Sequence, residues 1–192
     1  MGRAIIISGS PGSGKSTLSS RLAKDLKMEV INLSKLVEVE ELFSEIDIDR
    51  DTKVADLDRL IPRIVELIDR SEGVVIVEGH YADIVPSNLV DVAIILRTHP
   101  KILAKRLESK GWGERKISEN VQAEILGSCT FNALEAYGKD MVYEIDTTNL
   151  SEDETASIAR KIIQEKPEEY KVGRINWLSL LEADKELDKY FS

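Results

Sequence analysis

The sequence feature that most constrains this chain is a glycine-rich loop near its start. Residues 9–16, GSPGSGKS, fit the pattern G-x-x-x-x-G-K-[ST] and follow the apolar run 4–7 after a single serine. Glycines allow the backbone to turn so that several N–H groups face one anion. A helix predicted from Lys15 adds the positive end of its dipole at the same point. The loop is therefore predicted to hold a nucleoside triphosphate, with Lys15 on the β- and γ-phosphates and the Ser16 hydroxyl on Mg²⁺.

Beyond the loop, short apolar runs alternate with amphipathic stretches. Apolar runs of this kind suit strands that are buried on both faces of a parallel sheet. The five strand candidates are residues 4–8, 29–33, 74–77, 92–96 and 141–145. Helical periodicity predicts helices over 15–27, 57–70, 101–109 and 117–137, one from Ser34 that carries Phe43, and one that Ser151 caps with Glu154. This alternation predicts an α/β domain with a parallel sheet.

A boundary at Lys166 and Pro167 separates this domain, residues 1–166, from a C-terminal helical extension, residues 167–192. The apolar residues of the extension fall near one helical face: Trp177, Leu180, Leu181, Leu187, Tyr190 and Phe191. Such a face is explained either by a tail helix that docks on the core or by a helix that binds a partner or a second copy of the chain.

Charge and cysteine content limit the possible partners and location. The net charge of −9 argues against binding of nucleic acid by bulk electrostatics and suits a basic protein partner better. Cys129 is the single cysteine, so no internal disulfide can form and a reducing, cytoplasmic location is expected. The chain shows no signal segment and no apolar run near the roughly 20 residues that span a bilayer, so no membrane role is expected.

Other features narrow the class of phosphate-loop protein. The Asn-Lys-x-Asp string of a guanine-binding GTPase does not occur, and large ATPase motors need a longer chain. An interrupted helical insert after the second strand candidate and a short glycine-broken segment late in the chain give the layout of a nucleotide kinase. The insert would hold the acceptor, and the later segment would act as a lid that closes over the donor and excludes water.

Three further motifs make the comparison with a family specific. Together with the phosphate loop, the segments EGHYAD, LRTHP and KGWGERKISENVQAE resemble the adenylate kinase isoenzyme 6 family, the CINAP-type proteins of archaea and eukaryotes. The resemblance covers roughly residues 4–165, and it implies that the acceptor-binding insert spans about residues 34–56 and the lid about residues 109–119. It implies a P-loop nucleoside monophosphate kinase fold and transfer of phosphate from ATP to AMP, with ATP hydrolysis beside it. It also implies a role in maturation of the small ribosomal subunit, through a platform ribosomal protein and the late rRNA precursor of that subunit.

The resemblance also assigns residues to roles. The ATP-phosphate contacts would come from the loop residues Gly12, Gly14, Lys15, Ser16 and Thr17. Lys110, in the lid, stands where the family often has an arginine, and lysine keeps the charge but loses the fork geometry. Glu78 stands where the family often has an aspartate, and a carboxylate there can hold Mg²⁺ through water. His80 would lie at the γ-phosphate and orient the acceptor or a water molecule.

One departure concerns the acceptor. Glu38 lies near the position of a basic residue that is common in the family's acceptor insert, and the insert is acidic. Because AMP carries a dianionic phosphate, Arg59 and Arg97 are the cations left to meet it.

Several side chains keep both a functional and a structural interpretation at this point. Glu78 and Arg97 follow buried strands, and the carboxyl ends of parallel strands face the ligand, which favours a role at the site for both. The alternatives are a surface carboxylate for Glu78 and a surface salt bridge for Arg97. His80 is either a turn residue or a group at the γ-phosphate with a pKa near neutrality. Cys129 is interpreted as a small core residue. Open interpretations also apply to Asp83, Arg106, Trp112, Arg115, Lys116, Asn120, Gln122 and the segment 146–149.

Three functional hypotheses remain. The first is an adenylate kinase with Lys15, Glu78 and His80 as its catalytic residues, and with ATP and Mg²⁺. The second is an ATP-dependent ribosome assembly factor whose hydrolysis acts as a switch and whose kinase activity is residual. The third is a kinase of a small metabolite on the same fold.

Overall fold

The computed structural model describes residues 2–47 and 52–191. It contains a five-stranded sheet, a separate two-stranded hairpin and helices on both faces of the sheet. The strands are β1 (Arg3–Gly9), β2 (Val30–Asn32), β3 (Phe43–Asp47), β4 (Thr52–Ala55), β5 (Val74–Glu78), β6 (Val90–Arg97) and β7 (Val142–Asp146). The α-helices of the described residues are α1 (Lys15–Leu26), α2 (Leu33–Val39), α3 (Leu57–Arg70), α4 (Pro100–Glu108), α5 (Glu114–Ile125), α6 (Ser128–Tyr137), α7 (Glu152–Glu165), α8 (Trp177–Ala183) and α9 (Asp188–Phe191).

The main sheet has the strand order β2-β5-β1-β6-β7, and all of its pairings are parallel. This confirms the predicted α/β class with five parallel strands. The register places Ile7 opposite Glu78, and Gly9 opposite Leu96. The carboxyl ends of the strands therefore meet at one edge of the sheet, where ligands bind in open α/β folds.

Strand β1 shows why the apolar runs carry no alternation. Ala4 and Ile6 belong to the core on one face of the sheet, which includes residues of α3 and α6. Ile5 and Ile7 belong to the core on the other face, which includes residues of α1 and α7. Both faces are covered, so every residue of the run is apolar and buried.

Helix predictions that depend on local signals agree well with the structure. Helix α3 has the predicted bounds, 57–70, and the Asp56 side chain caps it by accepting from the Arg59 N–H. Pro62 lies inside this helix, beyond its first turn. Ser151 and Glu154 form the predicted capping box at the start of α7.

The insert after β2 differs from the prediction. Helix α2 is capped by Asn32, whose side chain accepts from the Lys35 N–H, and not by Ser34. The helix ends at Val39, because Glu41 takes a positive φ of 52° that a right-handed helix cannot continue through. Phe43 therefore belongs to an antiparallel pair of strands, β3 and β4. Residues 48–51 of the expected insert, 34–56, lie outside the described residues.

The predicted long helix over 117–137 is two helices. Gly127, with a φ of 67°, separates α5 from α6. A Cβ atom at Gly127 would lie 3.6 Å from the Arg97 guanidinium, so the break brings the backbone close to a buried charge. The helical period continues across the break in sequence, which is why the pattern alone did not reveal it.

Over its described residues, 167–191, the C-terminal extension forms the 3-10 helix Glu168–Tyr170 and the short α-helices α8 and α9, and its apolar residues do not form one continuous face. Trp177 and Leu181 are buried, whereas Leu180 and Phe191 are exposed. Leu181 packs against apolar residues of α4 and α5, and the Trp177 indole N–H donates to the Glu124 side chain of α5. This arrangement favours the docked tail of the two alternatives. Among the described residues, no helix combines the length and apolar character that a membrane crossing requires.

Candidate active site

The phosphate loop has the backbone conformation that its glycines predicted. Gly9, Gly12 and Gly14 all have positive φ angles. A Cβ atom at Gly9 would lie 2.4 Å from the Leu96 carbonyl oxygen, so a larger residue cannot take this place without moving β6. Helix α1 begins at Lys15, and no side chain caps its N-terminus. Its first N–H groups therefore face the cleft, where an anion would bind them.

Lys15 is held against the loop itself. Its Nζ atom donates to the carbonyl oxygens of Gly9, at 2.9 Å, and Ser10, at 3.1 Å. Burial lowers the pKa of the Lys15 ammonium; the nearby positive charge of Lys110 acts in the same direction, whereas Glu78 opposes it. A buried cation of this kind gains most from a phosphate oxygen, which would supply a close negative charge.

Two clefts meet at this loop. The first has a volume of about 440 Å³ and runs along α1 toward Arg106 and Thr147. The second has a volume of about 520 Å³ and lies between β5, the hairpin and the lid, with Asn32, His80 and Trp112 on its walls. Four residues line both clefts: Gly12, Lys15, Ser16 and Lys110. Of the other predicted ATP contacts, Gly14 and Thr17 line the first cleft. Ligands in the two clefts would therefore meet at Lys15 and Ser16.

Glu78 lies at the end of β5 and points into the second cleft. The residue is 3% exposed, and its Oε1 atom accepts a hydrogen bond from the Asn32 side chain. Its Oε2 atom is also buried but has no hydrogen-bond partner among the described residues. A buried carboxylate oxygen without a donor favours a cation beside it. Glu78 and the Ser16 hydroxyl therefore fit a Mg²⁺ ion.

This would be a site with few protein ligands. Within the described residues, no group of three or more His, Cys, Asp or Glu side chains could hold a metal ion. Mg²⁺ commonly binds through one or two protein oxygens together with substrate phosphates and water, so a sparse donor set suits it.

His80 stands at the mouth of the second cleft, two residues after Glu78. Its ring packs edge-on against Tyr81, with the ring centroids 4.5 Å apart. Although the residue remains exposed on its cleft side, the surrounding protein and then the charge of Lys15 lower the pKa of His80 to about 4. The imidazole is therefore neutral at pH 7, and the expectation of a pKa near neutrality is wrong.

The two arginines that were expected to meet an acceptor phosphate do not line the second cleft. Arg97 is 3% exposed and forms ion pairs with Glu124, at 2.8 Å, and Glu144, at 2.6 Å. Burial alone would lower the pKa of Arg97, but the two carboxylates outweigh it and raise this pKa. Arg59 donates to the carbonyl oxygen of Glu41 at the base of the insert. The cations on the described walls of the second cleft are lysines: Lys15, Lys110 and Lys116.

Arg106 is a cleft residue whose role the sequence left open. Its guanidinium donates to the Thr147 carbonyl oxygen at 2.9 Å and lies on the wall of the first cleft. The residue spans the space between the phosphate loop and the loop after β7, because it also reaches the Gly12 carbonyl at 3.5 Å. The segment 146–149 thus takes part in the first cleft through Thr147. In the sequence, the sign that Arg106 could reach the cleft was its position on the helix that leads into the lid.

The lid residues divide into two groups. Trp112 and Lys116 line the second cleft, and the Lys116 Nζ atom lies 4.8 Å from the centre of the Trp112 ring. Arg115 is exposed, does not line this cleft and pairs at 3.2 Å with Glu119, which does. Asn120 also reaches the second cleft, and its side chain donates to the Lys116 carbonyl oxygen.

Cys129 lies partly buried beneath the site. Its Sγ atom donates to the His80 carbonyl oxygen at 3.4 Å, and it packs against the core on one face of the sheet. Burial raises the pKa of this thiol, so it stays protonated at neutral pH. Burial likewise raises the pKa of the nearby Asp83 carboxyl. These groups support the loop after β5 and do not line either cleft.

The sequence is similar to that of named proteins over most of its length. A protein-family model described as an AAA domain matches residues 5–127. A Methanosarcina acetivorans protein named "Putative adenylate kinase" is 36% identical over 184 residues, which cover 90% of this chain and 96% of that protein. The Caenorhabditis elegans "Adenylate kinase isoenzyme 6 homolog" is 38% identical over 143 residues, which cover 74% of this chain and 79% of that protein.

The chain belongs to this adenylate kinase family. Solved structures place the family fold among the P-loop kinases. A shikimate kinase from Acinetobacter baumannii has a TM-score of 0.62 with 17% identity, covering 86% of this chain and 95% of that one. A thymidylate kinase from Candida albicans has a TM-score of 0.58 with 18% identity, covering 86% and 92%. The adenylate kinase family member described here is thus an enzyme with a P-loop kinase fold.

Proposed function

We propose that this protein transfers the γ-phosphoryl group of ATP to AMP, giving two molecules of ADP. The observation that carries the proposal is the meeting of two clefts at Lys15 and Ser16, with Glu78 and His80 on the wall of the second. The names of the relatives supply the identity of the acceptor. In this proposal the catalytic domain is residues 1–166, with an acceptor-binding insert at 34–56 and a lid at 109–119, and residues 167–192 form the extension.

The donor would lie in the first cleft. Its phosphates would meet the N–H groups of the loop from Gly12 to Thr17 and the ammonium group of Lys15. Arg106 and the loop that contains Thr147 would border the nucleoside. Lys110 lines both clefts and would follow the phosphoryl group as its charge spreads during transfer.

Mg²⁺ is part of the proposal, with Ser16 and Glu78 as the residues that would hold it. When bound, the ion neutralises charge on the β- and γ-phosphates. The buried Oε2 atom of Glu78, which has no donor among the described residues, supports this assignment. Asn32 holds the other carboxylate oxygen and so fixes the orientation of the group.

His80 would act as a neutral group at the transferred phosphate. A neutral imidazole has one nitrogen that accepts and one that donates, so His80 can orient the AMP phosphate or a water molecule without adding charge. Catalysis would otherwise depend on holding the two substrates in position and on the fixed positive charges around the transferred phosphoryl group. No covalent intermediate is needed.

The test of the kinase proposal is a paired assay with Mg²⁺–ATP, with and without AMP, that measures ADP and free phosphate separately. The kinase proposal expects two ADP for each AMP consumed, with little free phosphate, and a loss of this activity in His80→Ala. Free phosphate that forms at the same rate with and without AMP would contradict it.

A matched pair of lid variants tests whether AMP occupies the second cleft. Lys116 lines this cleft, whereas its neighbour Arg115 does not. Lys116→Ala should raise the KM for AMP about tenfold, since it removes a cation near the acceptor phosphate. Arg115→Ala should leave this KM unchanged. Equal KM values for the two variants would place AMP elsewhere.

A second candidate function is ATP hydrolysis that drives a step of small-subunit ribosome assembly and rRNA processing in the cytoplasm. The observation in its favour is the acceptor cleft itself, whose described walls hold lysines but neither Arg59 nor Arg97. A weakly held AMP would leave water as the acceptor. The net charge of −9 suits a basic ribosomal protein as partner. Free phosphate that rises when such a protein is added would support this candidate.

A further inference from the structure

The last turn of α5 places Glu124 where three other parts of the chain meet. The residue is 2% exposed. Its Oε1 atom accepts from the Arg97 Nε at 2.8 Å, the Thr98 N–H at 3.1 Å and the Trp177 indole N–H at 2.9 Å. Its Oε2 atom accepts from the Ser10 hydroxyl at 2.6 Å. Glu124 therefore joins the end of β6, the phosphate loop and the C-terminal extension.

Ser10 connects Glu124 to the reactive end of the loop. The residue is 3% exposed, and its carbonyl oxygen accepts from the Lys15 Nζ and from the Ser13 N–H, both at 3.1 Å. A shift of the Ser10 backbone would move both the turn of the loop and the Lys15 ammonium. The hydroxyl bond to Glu124 thus restrains the part of the loop that would meet phosphate.

The Trp177 indole N–H gives Glu124 a hydrogen bond in addition to its ion pair with Arg97. Arg97 is shared, because its guanidinium also pairs with Glu144 at 2.6 Å. One cation thus serves two buried carboxylates, and neutral donors complete the hydrogen bonding of Glu124. The Trp177 and Ser10 donors bind different oxygens of the carboxylate, so together they fix the orientation of the group.

Other contacts also hold the extension against the domain, so the indole hydrogen bond can be removed while the extension stays in place. The Trp177 ring packs against His99, with the ring centroids 5.3 Å apart. Leu181 is fully buried against α4 and α5. The Tyr190 carbonyl oxygen accepts from the Gln122 side chain at 2.7 Å.

We propose that Trp177 and Glu124 are positioning residues for the phosphate loop, through which the C-terminal extension fixes the place of Ser10 and Lys15. The proposal rests only on the loop's binding of a nucleotide phosphate and not on the acceptor. Trp177→Phe keeps the packing of the ring and removes the N–H donor. We expect this variant to bind a non-hydrolysable ATP analogue with Mg²⁺ roughly tenfold more weakly.

A double-mutant cycle separates this coupling from a general loss of stability. Ser10→Ala removes the hydrogen bond between the phosphate loop and Glu124, and Trp177→Phe removes the hydrogen bond between the extension and Glu124. If the two act through Glu124, the double variant should bind the analogue about as weakly as either single variant. Leu180→Ala is the matched control, since it lies on the same helix, is 40% exposed and makes no contact with Glu124 in this network; it should bind as the wild type does.

The measurement is isothermal titration of the full chain with the analogue, with the unfolding midpoint of each variant recorded beside it. Additive losses in the cycle, or wild-type affinity in a folded Trp177→Phe protein, would overturn the proposal. Hydrogen exchange on the wild type gives a second answer that needs no variant. Because coupling is reciprocal, the analogue should slow exchange of the α8 amides, and unchanged exchange would also overturn the proposal. A wild type that fails to bind the analogue at all would overturn the proposed function as well.

Discussion

Glu78 and Glu124 are both nearly fully buried beside the phosphate loop, but their carboxylates are satisfied to different degrees. Glu124 receives four hydrogen bonds at its side chain, from Ser10, Arg97, Thr98 and Trp177. Glu78 receives one, from Asn32, and its second oxygen has no donor among the described residues. Burial itself therefore does not distinguish a carboxylate with a complete set of donors from one that is free to contact a ligand.

The difference teaches how to recognise the functional group. A buried charge with a complete set of partners stabilises the fold around it, and removing the charge leaves those partners unsatisfied. A buried charge that lacks a partner is held at a cost by the rest of the fold, as is common at sites that bind ligands. The two residues should respond in opposite ways to substitution.

The largest expected effect is on stability at Glu124. Glu124→Ala leaves Arg97 short of a partner and should lower the free energy of unfolding by about 3–5 kcal/mol. Glu78→Gln should leave this free energy unchanged or raise it, because the amide can still accept from Asn32 and no longer buries a charge. Denaturant unfolding of both variants gives the comparison. Equal losses of stability would show that the two carboxylates do not differ in the proposed way.

The next effect is on activity at Glu78. Glu78→Gln should reduce phosphoryl transfer about 100-fold, since it removes the charge that is proposed to hold Mg²⁺. The concentration of Mg²⁺ needed for half-maximal rate should rise as well. The rate is measured over a series of Mg²⁺ concentrations, with circular dichroism as the check on folding. A variant with the wild-type dependence on Mg²⁺ would remove Glu78 from the metal site.

A third effect concerns pH and the neutral His80 next to Glu78. The fold lowers the pKa of His80 from 6.5 to about 4, so the unfolded chain takes up a proton in this range before the folded one does. Protonation of His80 should therefore reduce the free energy of unfolding as the pH falls from about 6.5 to 4. Between pH 7 and 8 His80 is neutral in both states, so it should add no pH dependence to this free energy. The measurement compares unfolding of the wild type and His80→Ala over this pH series. A difference between them that stays constant with pH would contradict the lowered pKa.

The smallest effect is expected for a carboxylate outside both networks. Glu40 pairs with Arg63 at 2.8 Å on the surface, and the guanidinium lowers the pKa of Glu40. Because both side chains of this pair reach solvent, which screens their attraction, Arg63→Ala should change the unfolding midpoint far less than Glu124→Ala does. The variant serves as a baseline for Glu124→Ala. A loss as large as that of Glu124→Ala would mean that burial does not control the size of these effects.

The sequence predicted well wherever the evidence was local. The phosphate loop follows from glycines that permit positive φ and from a lysine and serine at the start of a helix. The five strands follow from apolar runs, and the start of α7 follows from the Ser151 and Glu154 capping box. In each case the residues that decide the structure are neighbours in the chain.

The misassigned residues depend on distant partners. Arg97 follows a buried strand just as Glu78 does, and its position in sequence alone favours the cleft. Its actual partners, Glu124 and Glu144, lie 27 and 47 residues away, and they draw the side chain behind the phosphate loop. The prediction of one helix over 117–137 was wrong for a similar reason. The apolar period continues across Gly127, where the backbone separates α5 from α6.

The sequence by itself determined the place and backbone conformation of the glycine-rich loop between β1 and α1, because backbone freedom and helix starts are set by adjacent residues. It also determined the parallel sheet, since runs of apolar residues are stable only when both faces are covered. Only the tertiary structure decided which charged groups face the clefts. The energy of a buried charge depends on partners that the fold brings from far along the chain. These partners enclose Arg97 and Glu124, whereas one oxygen of Glu78 has no donor among the described residues.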